Sequence, residues 1–172
     1  MPVMAGLYHR NLVVLCLFMV TTPHLLTGAV IGYATGDIVY ASVLSFAVHY
    51  LLDAVPHACW KPVKNYKEAG WRGADKVDAL IKGAEPALGI AIVAYFASQV
   101  PSELLAPVLF GAFFGWFPDL LTFLEWGFGW KRPYPLREFE LRYHRHLNTL
   151  TGVLPQVAVS AAALYYMFVV AV

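Results

Sequence analysis

The sequence predicts an all-α membrane protein, a polytopic bundle of about five transmembrane helices in one domain. Three observations lead to this fold class. Hydrophobic residues make up 59% of the 172 positions and charged residues only 13%, whereas a typical soluble domain is about 45–50% apolar and about 25% charged. Several apolar runs are long enough to cross a bilayer, and the basic residues occupy only alternate connections between them. A chain with so few charged residues could not form the polar surface that a soluble domain needs.

Five apolar segments are long enough to span a membrane, which requires about 20 mainly apolar residues. They cover residues 11–34, 38–55, 78–99, 104–128 and 150–172. The first segment contains Pro23, which lacks a backbone N–H donor, so the first helix is either broken there or begins near Thr22. Arg10 and the apolar run 12–20 also match the start of a cleaved signal peptide. A retained helix is favoured because the apolar pattern continues to Ala34 without a clear cleavage site.

The distribution of Lys and Arg predicts the orientation of the bundle. With five spans, all 12 basic residues fall on one side: before the first span, between the second and third or at the start of the third, and between the fourth and fifth. The opposite connections carry only the charges of Asp37 and Glu103. The positive-inside rule therefore predicts an inner-membrane protein, surrounded by membrane lipid, with a cytoplasmic N-terminus and an outside C-terminus. A formal net charge of +1 gives no indication of nucleic-acid binding.

Ionisable side chains within the predicted spans indicate a functional site. At the bilayer centre each such group costs about 2.5–3.5 kcal/mol on insertion scales, and no basic residue lies at mid-depth to pair with the carboxylates. These residues, within the spans or at their cytoplasmic ends, are His24, His49, Asp53, His57, Glu85, Asp119 and His144. A bound cation would offset the cost of placing them there.

The spacing of these residues predicts that they converge. His49, Asp53 and His57 follow one another at intervals of four residues, which places them on one face of a helix. From the rise of a helix, Glu85 and Asp119 lie at a similar depth in the third and fourth helices. One polar layer in the cytoplasmic half of the bundle can therefore collect side chains from all five helices.

The predicted site binds one or two divalent metal ions. Imidazole and carboxylate ligands without thiolates suit Zn²⁺, Mn²⁺ or Fe²⁺, and Zn²⁺ or Mn²⁺ is favoured. The predicted metal ligands are His24, His49, Asp53, Asp119 and His144. We expect Glu85 or His57 to act as a catalytic base or to orient a ligand. A metal with an open position lowers the pKa of bound water to about 7, which suits hydrolysis of an ester or phosphoester near a lipid headgroup.

Purely structural roles are open at several of these positions. His24 alone could form a hydrogen bond to a neighbouring helix. Asp119 follows Pro118 and could cap a broken helix. Glu85 precedes Pro86 and could be an unpaired residue at a kink.

The two histidines before the fifth span also have to be distinguished. On a helix, His144 and His146 lie about 200° apart, so both could bind one ion only if one of them precedes the helix. His144 is the favoured ligand because it shares a face with Asn148 and Gly152.

Four short motifs together resemble a known family. They are PHLLTG around His24, HYLLDAVPH from His49, FPD ending at Asp119, and YHRH containing His144. The combination is similar to the membrane-bound metal-dependent hydrolases, which are also labelled LexA-binding, inner-membrane-associated hydrolases. The resemblance implies a small polytopic protein with a metal site built from these motifs.

Carried over by position, His24 and Gly28 match the family's first motif, a His and a Gly four residues apart. In the other motifs, Asp53 and His57 match the second block in part, and His144 and Arg145 match the third. The second block lacks the family's doubled aspartate. In the third, His146 replaces a glycine and Thr149 stands where another histidine is expected.

The sequence leaves three function classes open. The leading expectation is a metal-dependent hydrolase that acts at the cytoplasmic face on a lipid-like substrate. The first alternative is a small transporter or ion-conducting bundle that uses the same polar layer as its pathway. The second alternative is a b-type haem protein with two histidines on facing helices as axial ligands.

Overall fold

The described part of the chain consists of helices and the short connections between them. The computed structural model describes residues 21–57, 76–128 and 152–171, together with single positions at 130, 135, 136, 138 and 142. Within these residues there are five helices and no β-strand, which confirms the all-α prediction. The helices are α1 (Thr21–Thr35), α2 (Ile38–Ala54), α3 (Lys76–Ala97), α4 (Ser102–Phe128) and α5 (Val153–Tyr165), the last continuing as a π-helical turn (Tyr166–Val170).

Helix α1 begins at Thr21, one residue before the start predicted near Thr22. Pro23 lies in its first turn, where the missing N–H removes no helical hydrogen bond because the first four amides have no intrahelical acceptor. The apolar run 11–20 that precedes this turn lies outside the described residues.

Local sequence explains the bounds of α2. Asp37 is the N-cap, and its Oδ1 accepts hydrogen bonds from the N–H groups of Val39 (2.8 Å) and Tyr40 (2.9 Å). Gly36 precedes it with φ +61°, a conformation that glycine adopts without strain. The helix ends at Ala54 because Pro56 disfavours a helical conformation at the residue before it. A short turn at Gly36 and Asp37 therefore leads into a helix that ends before Pro56.

Helix α1 is the centre of the fold and contacts each of the other four helices. Its closest neighbour is α4. A Cβ atom at Gly28 would collide with the carbonyl oxygen of Gly111, and one at Gly32 would collide with that of Pro107. The two backbones thus touch at intervals of four residues, as they do where small residues line contacts between membrane helices.

Two helices are long and apolar enough to cross a membrane by length and composition. They are residues Ser102–Thr122 of α4 and the stretch Val153–Val170 that contains α5. The apolar helices Ile38–Ala54 and Gly83–Ala97 are shorter. Two such helices weakly suggest membrane association; five spans and the orientation of the termini stay predictions.

Candidate metal centre

Two helices bring imidazole and carboxylate groups together inside the bundle. His49 and Asp53 lie one turn apart on α2, and both are buried, with 2% and 4% of their surface exposed. His24 on α1 is 3% exposed. Gly28 and Gly32 allow the close approach of α1 and α4, so the three side chains have almost no contact with solvent.

Asp53 lies between the two histidines. Its Oδ1 is 3.3 Å from Nε2 of His24, and its Oδ2 is 3.3 Å from Nε2 of His49. The two imidazole rings are tilted by 38°, with their centroids 4.2 Å apart. Each carboxylate oxygen therefore faces a different imidazole nitrogen.

A backbone hydrogen bond orients His49. Nδ1 of His49 is 2.8 Å from the carbonyl oxygen of Gly115 on α4. A carbonyl oxygen can only accept, so Nδ1 carries the proton, and in the neutral ring Nε2 presents a lone pair. That nitrogen faces Asp53 and, at 3.9 Å, Oδ1 of Asp119. A lone pair directed at two carboxylates is unfavourable unless a cation, either a proton or a metal ion, lies between them.

The distances around Asp53 fit metal ligation. An ordinary N–H···O hydrogen bond measures about 2.7–3.2 Å, and both nitrogen–oxygen distances are slightly longer at 3.3 Å. Two ligands of a tetrahedral ion with bonds of about 2.0–2.1 Å lie about 3.3–3.4 Å apart. One ligand atom from each of His24, His49 and Asp53 lies within 4.8 Å of the other two. This buried group could hold a metal ion.

Asp119 is the more exposed carboxylate beside this group. Its side chain is 21% exposed, against 6% for that of Asp53. Helix α4 continues through Pro118 without a break, and the hydroxyl of Thr122 donates to the Pro118 carbonyl oxygen at 3.0 Å. Asp119 therefore does not cap a broken helix. Its Oδ1 lies 3.9 Å from Nε2 of His49, beside the group formed by His24, His49 and Asp53.

Glu85 lies at the N-terminus of α1. Its carboxylate accepts hydrogen bonds from the N–H groups of Thr22 at 2.6 Å and Thr21 at 3.0 Å. Both oxygens thus face backbone amides, so Glu85 is not an unpaired residue at a kink. Its predicted role as a catalytic base gains no support from these contacts and stays a prediction.

His57 is buried just beyond the end of α2, so the prediction that it shares one helix face with His49 and Asp53 is wrong, because the helix ends before Pro56. Its ring is oriented by a 2.7 Å hydrogen bond from Nδ1 to the carbonyl oxygen of Val55. His57 and His24 line the same cavity of about 30 Å³, which also reaches Gln156 near the start of α5. A space of this size accommodates a water molecule. The cavity connects His57 with the surroundings of the metal-binding group.

The remaining predicted ligand, His144, lies outside the described residues, and so does His146. Sequence reasoning did not find the contact between His49 and the Gly115 carbonyl. The available signal was the four-residue spacing of small residues, Gly28 and Gly32 in one segment and Gly111 and Gly115 in another, which indicates close contact between two helices. Comparisons with protein-family models, with curated proteins and with solved structures each found no match.

Proposed function

We propose that the chain is a membrane-embedded, metal-dependent hydrolase that acts at the cytoplasmic face on a lipid-type ester or phosphoester. The observation that supports this most strongly is the buried convergence of His24, His49 and Asp53 from two helices, with His49 oriented by a backbone carbonyl. Histidines that bind metals commonly donate their second ring N–H to such a carbonyl. The sequence motifs resemble hydrolases of the same class.

The proposed roles follow from burial. His24, His49 and Asp53 hold the ion, for which nitrogen and oxygen ligands favour Zn²⁺ or Mn²⁺. The ion would supply a bound water with a pKa of about 7, a source of hydroxide at neutral pH. Asp119 is partly exposed beside Nε2 of His49. Its carboxylate is therefore suited to accept a proton from a water molecule or to complete the ligand set.

Apolar side chains on the outer surface support a location within the membrane. In the apolar stretch of α5 only 17% of the residues are buried, whereas the core helix of a soluble protein is mostly buried. Several large hydrophobic side chains on α2, on α3 and in the stretch that contains α5 are more than half exposed; examples are Val39, Leu51, Leu154 and Val169. Exposure to water costs about 25 cal/mol per Å² of apolar surface, and a lipid environment removes this cost.

The cytoplasmic side is proposed from the position of the site along α2. His49 lies five residues before the end of α2 at Ala54, which is about 8 Å along the helix axis. The basic stretch that begins at Lys61 follows this end of the helix. By the positive-inside rule, the metal-binding group therefore lies nearer the cytoplasmic surface.

The same group also suits a second function, a pathway for protons or small cations. His24, Asp53, His49 and Asp119 form a row of neighbouring ionisable groups, and of these four Asp119 has the most exposed side chain. A haem fits less well. Ring centroids only 4.2 Å apart leave no space for a porphyrin between His24 and His49.

Turnover by the purified protein tests the proposal. Vesicles of the protein with fluorogenic acyl-ester and phosphoester lipids are assayed before and after treatment with a chelator, and again after Zn²⁺ or Mn²⁺ is restored. We expect turnover that the chelator abolishes, that the metal restores and that Asp53→Asn lacks. Glu103→Gln removes an exposed carboxylate at the start of α4 and serves as the control. Cation flux without turnover would favour the second function.

A further inference from the structure

Three hydrogen bonds connect Glu85 of α3 to the first turn of α1. The N–H of Thr22 donates to Oε1 at 2.6 Å, and the N–H of Thr21 donates to Oε2 at 3.0 Å. The hydroxyl of Thr22 donates to the backbone carbonyl oxygen of Glu85 at 3.1 Å. Glu85 therefore connects the turn that carries His24 to α3 through both its side chain and its backbone.

The N-terminal amides of a helix have no acceptor within the helix and are usually capped by a side chain just before it. Here the cap comes from α3, and it is a half-buried carboxylate. Hydrogen bonds to an ionised acceptor are about twice as strong as neutral ones, and a negative charge at a helix N-terminus is favoured by the helix dipole. Glu85 thus fixes where α1 starts relative to α3.

The next turn of α3 leaves space for the first turns of α1. A Cβ atom at Gly89 would lie 2.8 Å from Oγ1 of Thr22 and 3.0 Å from Cδ1 of Leu25. Only glycine leaves this space, so α1 and α3 approach closely at this point. An acceptor at Glu85 and a gap at Gly89, four residues apart on one face, together define the position of Thr22.

We infer that Glu85 is a positioning residue for the metal centre, because its carboxylate fixes the first turn of α1 and so places His24 against Asp53. His24 follows Thr22 by two residues, and its Nε2 lies 3.3 Å from Oδ1 of Asp53. Both carboxylate oxygens of Glu85 face amides, so the residue acts through His24. The inference rests on the metal binding that the proposed function requires.

Cobalt(II) titration with visible absorption tests this role. Residues that orient a metal ligand typically contribute 10- to 100-fold to affinity, so Glu85→Ala is expected to weaken Co²⁺ binding by about that factor. Its spectrum should shift towards that of His24→Ala. Glu85→Gln keeps one acceptor oxygen and should fall between wild type and Glu85→Ala. Glu103→Gln removes the same charge at an exposed site and should bind Co²⁺ as wild type does.

A second readout does not depend on metal. The side-chain ¹⁵N NMR signal of His24 in the metal-free protein is assigned by its absence in His24→Asn. We expect it to shift in Glu85→Ala and to stay in place in Glu103→Gln. If wild type binds no Co²⁺, the proposed function fails, and this signal alone decides the role of Glu85.

Two results would overturn the inference. One is a Glu85→Ala protein that binds Co²⁺ with wild-type affinity. The other is a His24 signal that does not move in that variant. A lower melting temperature combined with either result would assign Glu85 a role in stability alone.

Discussion

Gly115 packs directly against the backbone of His24. A Cβ atom at Gly115 would lie 2.5 Å from the carbonyl oxygen of His24, while the Gly115 carbonyl accepts the hydrogen bond from Nδ1 of His49. Gly115 therefore contacts the backbone of His24 and the side chain of His49, which are two of the three proposed ligands. The packing of α1 against α4 and the geometry of the metal-binding group are thus coupled.

This coupling predicts the effect of Gly115→Ala. The added methyl group has no space, and overpacking of this kind typically costs about 1–3 kcal/mol. We expect a lower melting temperature in detergent and a loss of metal affinity, because α1 must move away from α4. Gly83→Ala is the matched control, since nothing lies within 4 Å of a Cβ atom at Gly83. Equal melting temperatures and metal affinities for the two variants would contradict the prediction.

The Asp119→Asn variant distinguishes a role of Asp119 as a metal ligand from a role in proton transfer. If the carboxylate mainly accepts a proton, the variant keeps metal with an affinity within about 10-fold of wild type, and kcat falls by about 10²–10⁴-fold, the usual contribution of a general base. This is the outcome we expect, because Asp119 is farther from His49 than Asp53 is. Calorimetric titration with Zn²⁺ and the lipid-ester assay measure the two quantities. Unchanged turnover would exclude a direct role for Asp119.

Much of the fold could be predicted because the length of an apolar run and the residues that flank it determine where a helix begins and ends. The helix predicted over 38–55 is observed at Ile38–Ala54, where Asp37 caps its start and Pro56 ends it. Helix α1 starts at Thr21, close to Thr22, which is one of the two starts predicted for it; residues 11–20 of the predicted first span lie outside the described part of the chain. The predicted number of membrane spans is not confirmed, because only two of the described helices are long and apolar enough to cross a membrane by themselves.

The candidate site could be predicted in part for a similar reason. The interval of four residues between His49 and Asp53 placed them on one face, and the structure confirms that they lie together with His24. The contacts of Glu85 could not be predicted, since they depend on where α1 begins relative to α3. That position is set by tertiary contacts such as the gap at Gly89, which no local pattern reveals.

The predicted topology can be tested with single cysteines. In a background with Cys16 and Cys59 replaced by serine, a membrane-impermeant maleimide is applied to intact spheroplasts. Glu103→Cys, in the first turn of α4, should be labelled, and Arg142→Cys should be labelled only after the membrane is opened, because basic connections stay in the cytoplasm. Both side chains are exposed, so accessibility reports the side of the membrane. The reverse pattern would place the site at the outer face.

His49→Phe tests whether the buried ring is needed for binding or for packing. Phenylalanine fills the space of the imidazole but offers no nitrogen to Gly115 or Asp53. Loss of one ligand is expected to weaken metal affinity by more than about 100-fold, beyond the 10- to 100-fold typical of residues that only orient a ligand. The melting temperature of the metal-free protein should fall, because the Asp53 carboxylate and the Gly115 carbonyl lose a buried partner. A variant that still binds Zn²⁺ as wild type does would exclude His49 as a ligand.

Metal content tests the central claim most directly. Detergent-purified wild type and Asp53→Asn are analysed by elemental mass spectrometry, with the metal expressed per protein chain. Asparagine keeps the shape of Asp53 but not the charge that faces both histidines. We expect one or two equivalents of Zn²⁺ or Mn²⁺ in wild type and a small fraction of that in the variant. Equal and negligible metal in both proteins would show that a proton, and not a metal ion, lies between these side chains.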